Sequence, residues 1–170
     1  MAFYVPGEIP DVHSLHIDVM DDSLGTVAPS KVAFIAHNAM KQLIHQHPGM
    51  GDEFWRDTLI DAAIFREWIV NVGSREAYSR IAHLLCEKFL KLKAVGLTNG
   101  PVSISRSRNR DSVRRQDSQP STSTAAFKRC RWSDRLERGH CVISDLEKLK
   151  EAAMFDATYL HLRGEQQEAA

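Results

Sequence analysis

Residues 54–97, FWRDTLIDAAIFREWIVNVGSREAYSRIAHLLCEKFLKLKAVGL, carry two helical patterns in succession, and their reading decides the fold. From about Asp52 to Val72 the apolar residues, among them Phe54, Trp55, Leu59, Ile60, Ile64, Phe65, Trp68 and Ile69, cover most of the circumference of a helix. A helix apolar on more than one side must be buried on more than one side. In so short a chain the simplest second partner is the same helix of another copy, which predicts a homodimer with Leu59, Ala62, Ala63, Arg66 and Ile69 near the seam. The alternative is a central helix in a monomeric core.

The second pattern starts after Gly73, expected to be a hinge, with Ser74 as cap. Tyr78, Ile81, Leu84, Leu85, Phe89 and Leu92 then form one stripe at helical spacing, ended by Gly96, so this helix is expected to pack on one face. Upstream, FYV, DVHSLHIDV and KVAFIA read as β segments near period two. HNAMKQLIHQHPGMG reads as a short helix with Asn38 as cap and Pro48-Gly49 as stop. Downstream, HCVISDLEKLKEAAMF gives a short strand, a capping box of Ser144 and Glu147, and a last helix.

The chain has 170 residues, 43% hydrophobic and 26% charged, with a formal net charge of zero, which suits one or two small globular domains. No run is long and apolar enough for a bilayer and the start lacks a signal-peptide pattern, so a cytoplasmic location is expected. Three cysteines without CxxC spacing point to free thiols. His45 and His47 splay apart on a helix and His83 lacks a second ligand cluster, so no metal site is expected. No GxSxG, glycine-rich phosphate loop or HExxH is present, and neither an enzyme nor a cofactor is expected.

One stretch is unlike its surroundings. SISRSRNRDSVRRQDSQPSTSTAAFKRC, residues 103–130, has no periodicity over a length that compact domains rarely leave without structure. Its Arg106, Arg108, Arg110, Arg114 and Arg115 suit phosphate contacts without base preference.

The 54–97 stretch resembles the Crp/Fnr-type bacterial transcription regulators, in which a dimerisation helix leads into a winged helix-turn-helix domain. The tail CVISDLEKLKEAAMFDATYLHLR is similar to that family's last wing strand and terminal helix, and residues 3–48 look like the second half of its effector-binding β-roll. The resemblance implies an α+β fold: a partial antiparallel β-roll over 1–50, a dimerisation helix over 51–72 and a disrupted winged helix-turn-helix domain over 73–170, with 98–140 disordered. It also implies DNA as a partner. Residues 106–128 can be encoded so that a shifted frame spells GLSTVHVNR, which resembles the family's turn and recognition helix, so a frame disruption is expected between about 102 and 140; an authentic basic linker is the alternative. Gly7 and Glu8 resemble the family's phosphate-cradling pair. Asp22 stands where its phosphate-binding Arg belongs, and no cyclic-nucleotide binding is expected.

Overall fold

The computed structural model describes residues 2–20, 23–26, 29–98, 102–105, 136–137, 140–143 and 145–162. Its helices are α1 (His37–Gln46), α2 (Pro48–Ser74), α3 (Ala77–Ala94) and α4 (Leu146–Ala153). Three short strands, β1 (Val102–Ser105), β2 (Leu136–Glu137) and β3 (His140–Ile143), form an antiparallel ladder with β3 in the middle, Val102 opposite Ile143 and Leu136 opposite Cys141. This ladder is too small to form a layer, and helix dominates the described molecule.

The expected α+β fold with a partial β-roll is therefore corrected to a helical one. Residues 2–36 form no strand among those described; their one regular element is a 3-10 turn, Val12–Leu15. The apolar spacing slips at Leu15, and Pro6, Pro10 and Pro29 each lack the N–H that a ladder requires. Val5 and Leu15 are buried, while Val19, Val32 and Phe34 point outward, with Phe34 95% exposed.

Several boundaries also move. Pro48 opens α2 rather than stopping α1, as suits a residue whose missing N–H would have no helical partner at that position. Gly73 lies inside α2, and the chain turns at Arg75 and Glu76 instead. Ser74 does not cap α3: its hydroxyl donates back to the Val70 carbonyl at 2.8 Å, and α3 starts after Glu76 without a side-chain cap. Asn38 lies within the first turn of α1 and accepts from the Ala39 amide. The cap of α4 is Asp145, which accepts from the Lys148 amide at 3.0 Å; Ser144 lies outside the described residues. Gly96 adopts φ +71°, the left-handed conformation that ends a helix, with the Leu97 amide closing on the Leu92 carbonyl at 3.0 Å.

The core lies between the inner face of α2, the whole circumference of α3, α4 and the 3-10 turn Thr158–Leu160. Every residue from Ile81 to Lys88 is buried, so the expectation that α3 packs on one face is also corrected. Its polar positions are covered as well. The amino-terminal arm lies over Lys88 and Lys91, while α2 and the 158–160 turn cover His83 and Glu87.

Candidate pairing surface

Helix α2 is 27 residues long, about 40 Å at the usual rise per residue. Its inner face carries Ile64, Trp68 and Asn71 into the core. Polar contacts fix how α2, α3 and the 158–160 turn lie together. The Trp68 indole donates to Glu87 Oε2 at 3.0 Å, and the Tyr159 hydroxyl donates to the same oxygen at 2.9 Å. At the far end, Arg75 pairs with Glu67 at 2.7 Å. From α3, the Arg80 guanidinium donates to the Arg75 and Val72 carbonyls at 3.0 and 3.3 Å, occupying acceptors that the end of α2 leaves open.

Glu87 is fully buried with Oε1 unpartnered among the described residues, and burial raises its pKa against the lowering by Tyr159, Lys91 and Trp68. His83, also fully buried, stacks on Tyr159 with ring centroids 5.8 Å apart and meets the edge of Trp68 at 5.7 Å. Burial, with a smaller contribution from Arg75, lowers its pKa to about 4, although the Glu67 carboxylate lies 3.2 Å from Nε2. That contact is close enough for attraction but misaligned for a hydrogen bond, so desolvation prevails and the ring stays neutral at neutral pH.

The outer face of α2 is different. Trp55, Leu59, Ala62, Arg66, Ile69 and Gly73 follow one another at steps of four, three, four, three and four, which is the spacing of a coiled-coil seam. Ile69 is 73% exposed, Trp55 65% and Leu59 51%, and Phe65, Val70 and Val72 flank them, also exposed. Together they form a run of exposed large apolar side chains along one helix, the kind of patch that marks an interaction surface.

Of the five seam residues expected from sequence, Leu59, Ala62, Arg66 and Ile69 lie on this face. Ala63 does not; it is buried against the chain's own core. Trp55 and Gly73, not among the five, share this face. The four-three spacing from Leu59 to Ile69, extended one step each way, would have found both.

The other candidate sites fare differently. Glu8 is occupied within the fold. Its Oε2 accepts from the Val5 amide at 2.7 Å and its Oε1 pairs with Lys91 at 3.1 Å, while Lys91 also donates to the Phe3 carbonyl at 2.7 Å. Gly7, at φ +98°, makes the turn that brings Glu8 back. The Gly7 and Glu8 pair thus fastens the amino-terminal arm to α3, and Tyr4 extends the fastening to α2 through Asp61 at 3.2 Å. Arg106, Arg108, Arg110, Arg114 and Arg115 lie outside the described residues. Among the described residues there is no cluster of metal-ligating side chains, and no helix is long and apolar enough to cross a membrane. The chain matches no family model, no curated protein and no solved structure.

Proposed function

We propose that this chain works as a self-pairing module, joining a second copy through the outer face of α2, and that by descent it is a Crp/Fnr-type DNA-binding transcription regulator whose DNA reading is impaired. The observation that carries the pairing is the outward stripe Trp55, Leu59, Ala62, Arg66, Ile69, Gly73, exposed except at the half-buried Ala62, on a helix whose opposite face is already buried. A helix apolar on both faces is poorly served by water, and two-fold pairing covers both outer faces at once.

The descent rests on the resemblance of residues 54–97, where a long helix leads into a second one. Impaired reading rests on the Arg/Ser-rich text that stands where reading helices belong. Binding through Arg106 to Arg115 would be indifferent to base sequence and would weaken steeply as salt rises.

Light scattering on a sizing column tests the pairing. The chain is expected at twice its 19.2 kDa mass, and the Ile69→Asp variant at 19.2 kDa with an unchanged helical spectrum. A wild-type mass of one copy at every concentration overturns the pairing. Gel shift with random and palindromic duplexes tests the impaired reading, since a dimeric reader needs two half-sites. Affinity equal for both pools is expected, and preference for one palindrome contradicts it.

A further inference from the structure

Arg66 interrupts the seam near its middle. Its neighbours one turn away on the helix are Ala62, Ala63, Ile69 and Val70, so no carboxylate is placed to receive it along α2. It is exposed, and among the described residues it has no ion pair. For a surface arginine in a solvated face this would be ordinary. Here it stands in the row Trp55, Leu59, Ala62, Arg66, Ile69, Gly73, whose other members are apolar or small.

We infer that Arg66 is the residue that limits α2 to two strands. The inference rests on the self-pairing reading and goes further, because it assigns the strand number to one side chain. In a two-stranded seam each core position keeps one side in reach of water, and a long arginine stem lies across the apolar surface while its guanidinium stays hydrated. A third or fourth helix closes that side and forces the unpaired charges into a dry layer, which is strongly unfavourable. Ala62 before Arg66 is small, and the nearest large seam residues, Leu59 two layers before and Ile69 one layer after, are exposed and apolar and would themselves accept more strands, so the restriction falls on Arg66. The same charge weakens the pair it permits, as a polar core position does in coiled coils.

Native mass spectrometry and sedimentation equilibrium on the full chain test this with Arg66→Leu, Arg66→Met and Arg66→Lys. Position 66 is exposed, so all three are expected to keep the helical spectrum of the wild type. Wild type and Arg66→Lys are expected to stop at two copies. Arg66→Leu and Arg66→Met are expected to pair at least about tenfold more tightly and to add species of three or four copies. If both apolar variants keep the wild-type mass and affinity, or if the wild type itself exceeds two copies, Arg66 does not set the strand number. A wild type that stays single at every concentration removes the pairing itself, a result distinct from a two-copy wild type with indifferent variants.

Discussion

At the scale of single residues, Glu87 and His83 sit at the junction of α2, α3 and the 158–160 turn, and both are fully buried. Glu87→Ala leaves the Trp68 and Tyr159 donors without an acceptor and is expected to destabilise the chain by about 1–3 kcal/mol per orphaned group, whereas Glu87→Gln keeps volume and acceptor and should lose much less. Urea denaturation of the two variants checks this. The two residues also respond oppositely to acid. His83, lowered from 6.5 to about 4, contributes stability that is complete above pH 6.5 and lost as pH falls toward 4. Glu87, raised above 4.5, contributes stability that is present below 4.5 and lost as pH rises through its folded value. Between pH 6.5 and 4.5 the histidine therefore weakens the fold on acidification while the carboxyl opposes it. Melting temperatures from pH 7.5 to 4.5 should fall further in Glu87→Gln than in wild type; an equal or smaller fall would contradict this assignment.

At the scale of elements, the two faces of α2 make opposite demands. Trp68 faces inward at 4% exposure, and Trp68→Ala is expected to cost about 3–5 kcal/mol whether or not copies pair. Leu59 and Ile69 face outward, and Leu59→Asp or Ile69→Asp should change the stability of a single copy by less than about 0.5 kcal/mol while abolishing pairing. Thermal melts at low and high chain concentration separate the effects, since only pairing makes the melting temperature depend on concentration. Both helices at the centre were legible in the sequence because their apolar residues recur at helical spacing over many turns. What was not legible was which side of each helix is covered. Glu87, Lys88 and Lys91 read as a solvated face, yet Trp68 with Tyr159, Phe3 and Glu8 supply partners from distant parts of the chain. Gly73 and Ser74 read as a break and a cap because those residue types favour both roles. Packing of Asn71 and pairing of Arg75 with Glu67 hold the helix through them.

At the scale of the whole molecule, the amino-terminal region shows how local pattern fails without a partner. Period-two spacing in residues 12–19 and 31–36 suggests strands, but a strand needs a neighbour to accept its backbone, and the described residues offer none there. The arm is instead fastened at its tip, where Glu8, Lys91 and the Phe3 carbonyl meet and Tyr4 reaches Asp61. Lys91→Met should release it, giving faster protease cleavage near residues 2–10 with the helical spectrum retained; unchanged cleavage would mean that the contacts independent of Lys91, among them Tyr4 with Asp61 and the burial of Val5 and Leu15, suffice to hold the arm. Gly7 and Glu8 stand out in the sequence by resemblance to a phosphate cradle; in the fold Gly7 makes a turn and Glu8 accepts from the Val5 amide and pairs with Lys91. The pair's use within this chain is internal, which only the distant Lys91 reveals.

The central claim is that a second copy covers the outer face of α2. Its most direct test is the alkylation rate of Ile69→Cys, read peptide by peptide across a wide range of chain concentration, with Phe34→Cys, an exposed position outside α2, as a control. Protection of position 69 that grows with concentration, by about tenfold or more, while position 34 reacts at a constant rate, is the predicted result. Equal and concentration-independent reactivity at the two positions would contradict it.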